Sequence, residues 1–313
     1  MTRNLTFASL LLLAGLALTA PRAYGQNTFL LMAVSGDVQY TDDGSSWNRA
    51  RTGLKLQEDA KLKVAQGAYA AVILNNTKTF EMKQSGTYNL RNLVPASGTA
   101  SSSVSGKYVD YVVNRSTSNK AGNNMANLGA VERSLAPQPL SPMNSKIIDN
   151  QVTFIWRKQD DAPSYFFKIS DINGNELYTT ETADTFVVVD VLPLKLNTNE
   201  PYYWQIANTR KRGMPSGEPS FVLLGTENRA AIQKAAEEIK GNAEDPNSAI
   251  CNIFLGQYYA EQQVYDRAMM AYANAVNAHP DVEGYRKIYA EFLAKIGLAS
   301  YAKEILGTIR LDN

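Results

Sequence analysis

The sequence predicts a multidomain protein in which β-structure comes first and α-helices follow. Short alternating apolar runs, separated by glycine and Asp/Asn turns, fill residues 34–90 and are typical of short strands. A second group of strand-like runs covers residues 140–224 and contains Asn173-Gly174, a pair that favours a type I′ hairpin turn. From Glu227 onward, apolar residues recur at helical spacing. The 313 residues are enough for two or three compact domains.

Composition and charge exclude some functional classes. The chain is 44% hydrophobic and 19% charged, with a formal net charge of +1, which is ordinary for globular domains. The densest cationic run, Arg210-Lys211-Arg212, is interpreted as a solvated loop. Because a near-neutral chain offers no electrostatic footprint for DNA or RNA, we predict no nucleic-acid partner.

The first 25 residues have the pattern of a signal peptide. Arg3 supplies the positive end, an apolar run covers residues 10–20, and Ala23-Tyr24-Gly25 is a small-x-small cleavage site. We therefore expect a mature chain that begins at Gln26, lies in the periplasm and has no membrane span. The alternative is an uncleaved segment that anchors the protein in the membrane. No cysteine lies near the cleavage site, so a lipoprotein anchor is not expected.

Residues 26–94 predict a small, twisted all-β domain. Gly36-Asp37-Val38, then Gly53-Leu54-Lys55-Leu56, then the apolar run Gly67–Leu74 follow one another in this stretch. In this order and spacing they resemble the extracytoplasmic domain of the FecR family. The resemblance implies an envelope location and protein–protein contact. FecR regulators carry an anti-sigma segment and a membrane span before this domain, and neither precedes it here, so the sigma-regulator function is not carried over.

Residues 95–138 predict a linker that contains a short helix. Small residues dominate from Pro95 to Gly106. The spacing of Tyr108, Tyr111 and Val112 then fits one face of a short helix. A following Gly-Ala-Val-x-Arg element, residues 129–133, also resembles the tail of FecR-type domains.

Residues 139–224 predict a β-sandwich. Trp156 and Trp204 fall at inward-facing positions, where large aromatic side chains dominate core burial. Leu196, Tyr202 and Trp204, with Ile206, resemble the tyrosine corner of fibronectin type III domains, which implies an Ig/fibronectin-like architecture and identifies no ligand. The predicted strands are Val152–Trp156, Tyr165–Ser170, Glu176–Thr180, Thr185–Asp190, Tyr202–Asn208 and Ser220–Leu223.

Residues 225–313 predict helical repeats. The first repeat pattern is carried by small, apolar and aromatic residues at fixed offsets, namely Leu255, Gly256, Tyr259, Ala268, Tyr272, Ala275 and Pro280. It resembles a tetratricopeptide repeat, although Asn252 occupies the usual Trp position. A second pattern, offset by about 34 residues, is degenerate. Gly256 and the alanines are explained by close approach of neighbouring helices.

No catalytic, cofactor or metal site is predicted. One histidine, His279, and one cysteine, Cys251, do not suffice for a zinc site. We expect His279 to cap a helix as a cationic imidazole, and Cys251 to be a small core residue. The run Asp171–Glu176 lacks the spacing of a calcium loop. The chain carries no nucleophile elbow, zinc-protease motif or phosphate-binding loop.

The repeat region supplies the predicted partner-binding face. Polar residues at helical spacing should line its concave side, namely Gln257, Glu261, Lys287, Glu291 and Lys295. The first hypothesis is a non-enzymatic periplasmic scaffold or adaptor that contacts other envelope proteins. An alternative is a sensor or binding protein for cell-wall glycan or another carbohydrate, which needs an exposed aromatic row on the sandwich. A hydrolase would require a carboxylate pair that the sequence does not identify.

Overall fold

The computed structural model describes residues 27–96, 104–117 and 136–307. Within these ranges strands precede helices along the chain, as predicted, apart from one short helix between the two β units. The predicted signal peptide and the element at residues 129–133 lie outside the described residues. In the described part of the chain, no helix combines the length and apolarity that crossing a membrane requires.

The first β unit consists of two sheets that enclose a common core. Its strands are β1 (Thr28–Ser35), β2 (Val38–Thr41), β3 (Asn48–Arg49), β4 (Lys55–Gln57), β5 (Lys61–Val64), β6 (Tyr69–Leu74), β7 (Lys78–Met82) and β8 (Gly86–Asn89). They form two four-stranded sheets with the orders β4-β1-β6-β7 and β3-β2-β5-β8. Every pairing within them is antiparallel.

Strand β6 is buried along its whole length. Ala70 and Val72 pack in the core between the two sheets, whereas Ala71 and Ile73 belong to a core shared with the C-terminal helices. A strand covered on both faces does not alternate apolar and polar residues. This explains the continuous apolar run Gly67–Leu74 in the sequence.

A short helical segment follows the first β unit. A 3-10 turn covers Val104–Tyr108 and leads directly into helix α1 (Val109–Thr117). The short helix predicted from the tyrosine and valine spacing is therefore present, although it begins one residue after Tyr108. Tyr108 in the turn and Val112 in α1 are buried, and Tyr111 is partly buried.

The second β unit is a sandwich. Its strands are β9 (Pro139–Ser141), β10 (Ser145–Ile147), β11 (Gln151–Trp156), β12 (Tyr165–Ser170), β13 (Glu176–Thr182), β14 (Phe186–Asp190), β15 (Pro201–Asn208) and β16 (Ser220–Leu223). The sheet orders are β14-β11-β9 and β10-β16-β15-β12-β13. Every predicted strand is present, and the prediction missed β9 and β10. These two strands have three residues each and flank Pro142, so they carry little alternation.

The sandwich core is aromatic, as predicted. Trp156 and Trp204 are 1% and 0% exposed, and the Trp204 Nε1–H donates to the carbonyl of Pro142 at 2.8 Å. The Tyr202 hydroxyl accepts a hydrogen bond of 2.8 Å from the backbone N–H of Asn197, which is the contact expected of a tyrosine corner.

The hairpin between β12 and β13 is present, but the predicted type I′ turn is wrong. A type I′ turn needs positive φ at two residues, and only Gly174 (φ 82°) has it; Asn173 does not. Asp171 fixes a different loop, because its carboxylate accepts the N–H groups of Asn173 and Asn175 at 2.9 Å each. Side-chain capping by the aspartate therefore decides the turn geometry.

Five helices complete the described chain. They are α2 (Thr226–Gly241), α3 (Ala249–Glu261), α4 (Tyr265–Ala278), α5 (Glu283–Lys295) and α6 (Ala299–Gly307), each packed on the next. A Cβ added to Gly256 would lie 2.6 Å from the ring of Tyr272, so α3 and α4 approach as closely as predicted. Cys251 is a buried core thiol, and burial raises its pKa to about 12.

Replacing Tyr202 by Phe tests the tyrosine corner. The change removes the acceptor of the Asn197 N–H, and because Asn197 is exposed and its N–H can bond water instead, we expect a loss of about 0.5–1.5 kcal/mol in the free energy of unfolding. Tyr203→Phe is the matched control, because this ring lies on the opposite face of the same strand and is only partly buried. Urea unfolding followed by tryptophan fluorescence measures both. Equal loss in the two variants would show that the Tyr202 hydroxyl does not stabilise the sandwich.

Candidate partner-binding face

The predicted partner-binding residues do not form one open face. Gln257, Glu261 and Glu291 lie beside helix α1 and the turn that leads into it. Glu261 is exposed, and Gln257 and Glu291 are only partly buried. Lys287 instead pairs with Glu283 of its own helix, with Nζ and Oε1 2.6 Å apart. Lys295 is exposed at the end of α5. The segment expected to be a linker thus occupies part of the surface that was assigned to a partner.

Helix α1 is held by apolar burial. Tyr108, Val109 and Val112 are 3%, 1% and 0% exposed, and all three belong to the core formed by the C-terminal helices. The helix packs against α5 and against strand β1. It approaches α5 closely, because a Cβ on Gly284 would lie 2.8 Å from the Cβ of Ser116. Helix α1 therefore lies between the first β unit and the helical array.

Polar contacts fix the orientation of α1. The Tyr108 hydroxyl donates to Glu261 Oε2 at 2.9 Å, and Gln257 Nε2 donates to the other oxygen of that carboxylate at 3.3 Å. Burial and the neighbouring Glu261 carboxylate raise the pKa of Tyr108 above its usual value. At the other end of the helix, Arg115 forms an ion pair of 2.7 Å with Glu291. Both glutamates of the predicted face thus bind residues of this segment.

A buried polar network joins the first β unit to the helices. Glu81 accepts hydrogen bonds from the Tyr69 hydroxyl at 2.6 Å and from the Ile250 N–H, in the first turn of α3, at 2.9 Å. Its second oxygen lies 2.8 Å from Lys83 Nζ, an ion pair without hydrogen-bond alignment. The Tyr69 and Tyr285 hydroxyls are 2.9 Å apart. A carboxylate at a helix N-terminus is electrostatically favourable, so Glu81 ties two units together.

His279 has a different environment from the predicted one. It follows α4 at the C-cap position, and its ring stacks on Tyr69 with centroids 3.8 Å apart. Burial lowers the pKa of His279, which opposes the cationic imidazole expected of a helix cap. The C-cap position of His279 was therefore predicted correctly, but the charge state of its imidazole was not. Its stacking partner, Tyr69, lies in another unit of the fold, where local sequence does not reveal it.

A second polar junction joins the sandwich to α4. Ser145 Oγ accepts the Tyr265 N–H at 2.8 Å and donates to Asp266 Oδ1 at 3.3 Å. Arg267 forms an ion pair of 2.6 Å with Asp149. Burial raises the pKa of Asp266 to about 6, from an ordinary 3.8. The sequence carries no signal for this junction, since its residues are ordinary surface types in both segments.

The sandwich aromatic residues do not form an exposed row in the described part of the chain. Tyr165 and Tyr202 are buried in the core. Phe166 and Tyr203 lie on the outer face of neighbouring strands, but they are opposite Ala207 and Ser170 rather than each other. The alternative function of carbohydrate binding needs an exposed aromatic row on the sandwich, and the described residues do not form one there.

Comparisons with known proteins add no family. No protein-family model and no curated protein matches the chain. Among solved structures, the chain is similar to one from a cytokine receptor complex, with 11% identity, 62% of this chain and 87% of that chain covered, and a TM-score of 0.19. A TM-score this low carries neither fold nor function to this protein.

Replacing Val112 by Ala tests the burial of α1. The loss of two buried methyl groups should weaken its docking by about 1–3 kcal/mol. Faster amide hydrogen exchange over residues 104–117 measures the effect, and Asn114→Ala, on the exposed side of α1, is the control. Unchanged exchange in Val112→Ala would show that apolar burial does not hold the helix.

Replacing Asp266 by Asn tests the sandwich junction. Because the pKa of Asp266 is raised in the folded state, that state binds a proton more tightly than the unfolded chain. The contribution of Asp266 to stability is therefore present below about pH 4 and is lost as the pH rises through about 6. Asp266→Asn should flatten the stability curve in this window, as measured by thermal unfolding. The control, Asp184→Asn in an exposed turn, should follow the wild type; a wild-type curve for Asp266→Asn would contradict the raised pKa.

Proposed function

We propose that the protein is a non-enzymatic periplasmic scaffold or adaptor that mediates protein–protein contacts in a cell-envelope or surface assembly. In this proposal the first β unit is a FecR-like domain, the sandwich is a fibronectin/Ig-like domain, and α3 to α6 are tetratricopeptide-like repeats. The Tyr202–Asn197 hydrogen bond and the close Gly256–Tyr272 contact support the last two assignments. Each of these module types commonly provides a contact surface.

The observation that carries this proposal is the seating of α1 on the helical array. Repeat arrays bind amphipathic segments along one face. Here α1 buries Val109 and Val112, and Tyr108 of the preceding turn is buried beside them. Tyr108 and Arg115 bind Glu261 and Glu291 of the array. The array therefore has the chemistry of a surface for helical segments. Because α1 is also packed on β1, it couples this surface to the first β unit.

The proposed contact surface is composite. The exposed side of α1 carries Asp110, Asn114 and Arg115, and Arg115 links it to Glu291 of α5, the helix that also carries the exposed Lys295. A partner that reads this surface would contact two units of the scaffold at once. Such a partner would bind only when α1 is seated, since an unseated α1 removes half of the surface.

In-cell crosslinking followed by mass spectrometry of envelope fractions tests this function. A few stoichiometric partners should be recovered with the tagged wild-type protein. Changing Gln257, Glu261, Lys287 and Glu291 together to Ala should lower their recovery about tenfold or more, because it removes the groups that seat α1 and their neighbour.

Matched variants locate the contact. Gln233→Ala with Lys234→Ala, on the exposed side of α2, should leave recovery unchanged. Val112→Ala should lower it, since that change weakens the docking of α1 without altering a surface charge. Recovery of the protein alone, or equal loss in the α2 control, would overturn the proposal.

A further inference from the structure

The outer face of sheet β3-β2-β5-β8 is a row of hydrogen-bond donors. The strand register aligns one residue from each strand: Arg49 opposite Gln39, Gln39 opposite Lys63, and Lys63 opposite Thr87. Strands lie about 4.8 Å apart, so the row is roughly 14 Å long. The side chains that face inward from the same strands are apolar, as at Val38 and Leu62.

The cations of this face lack ion pairs. Arg51 lies on the same side as Arg49, because Ala50 between them is buried, and Lys61 occupies the next row beside Lys63. Among the described residues, no carboxylate lies within 4 Å of the charged groups of four cations of this face, which are Arg49, Arg51, Lys61 and Lys63. By contrast, Lys83 and Arg91 of the same unit form ion pairs. Four unpaired cations on one sheet face create a local positive potential.

The neighbouring carboxylates Asp37 and Asp43 do not form ion pairs with the cations of the row. Asp37 lies at its edge and accepts a hydrogen bond from Gln39 Nε2 at 3.3 Å. Asp43 is turned into its own loop, where it accepts hydrogen bonds from the N–H groups of Ser45 at 2.8 Å and Ser46 at 3.0 Å. These bonds hold the pKa of Asp43 well below its ordinary value, so it stays anionic and engaged in the loop.

An exposed aromatic ring adjoins the row. Trp47 is 37% exposed, and Lys63 Nζ lies 5.8 Å from its ring centroid. Indole rings are normally buried in a core of this size, as Trp156 and Trp204 are. A partly exposed ring beside cations that lack ion pairs provides a flat apolar surface next to charge.

We propose that this face binds a polysaccharide that carries carboxylate groups. The arginines bind carboxylates in bidentate geometry, and the lysines add point charges. Gln39 and Thr87 donate to sugar hydroxyls, and Trp47 offers a flat surface for the C–H face of a pyranose ring. An acidic peptide would use the cations but would leave the indole ring and the neutral donors without a role. This surface is separate from the α1 surface of the proposed function, so an experiment can contradict one of the two proposals without contradicting the other.

Binding of polygalacturonate oligomers to the full mature chain, measured by calorimetry in low salt, tests the inference. The wild type should bind, and binding should weaken as salt is raised. The double change Arg49→Gln with Lys63→Gln should raise the Kd about tenfold or more, because it removes two charged contacts. Trp47→Ala should also raise it. Thermal unfolding of each variant confirms that it is folded.

Lys55→Gln is the matched control. Lys55 is an exposed lysine of the same β unit on the other sheet, and its loss should leave the Kd unchanged. Neutral dextran should not bind. Three results would overturn the inference: no binding by the wild type, an equal loss in Lys55→Gln, or poly-glutamate binding as tightly as polygalacturonate with no effect of Trp47→Ala. The last result would assign the face to acidic polypeptides.

Discussion

Two-sided burial of strand β6 is the constraint on which the arrangement of the described units depends. One side of β6 faces the core between the sheets, and the other, with Tyr69, Ala71 and Ile73, faces the helices. A strand that is apolar on both faces cannot leave either one in water, because each buried methylene stabilises the fold by about 0.8 kcal/mol. The helices therefore pack against the first β unit and are not merely tethered to it by a linker.

Buried carboxylates give this apolar contact a defined geometry. Burial alone is non-directional, whereas Glu81 requires the Tyr69 hydroxyl and the Ile250 N–H at fixed positions. Asp266 and Ser145 do the same at the sandwich junction. An unpaired buried carboxylate is strongly destabilising, so misaligned docking is disfavoured at both junctions. The three units accordingly act as one scaffold in the proposed function.

The docking of α1 on the helical array changes the interpretation of the predicted concave face. An open concave face suggests a site for a partner peptide, but here Glu261 and Glu291 already bind the chain's own Tyr108 and Arg115. In the proposed function, the surface that contacts partners is therefore the outer side of α1 and its surroundings. The donor row on the first β unit points away from the core of that unit and is a second, chemically different surface. Protein contact and glycan contact would thus use separate faces of one body.

The sequence by itself determined the order of β-structure and helices, the inward tryptophans Trp156 and Trp204, and the close contact at Gly256. These follow from local periodicity and side-chain size, which consecutive residues report directly. Only the tertiary structure decided that Tyr108 reaches Glu261, 153 positions away. It also decided that the strand register places cations without ion pairs side by side on the outer face of sheet β3-β2-β5-β8. Such features depend on docking and strand register, which burial over the whole chain selects and no local pattern contains.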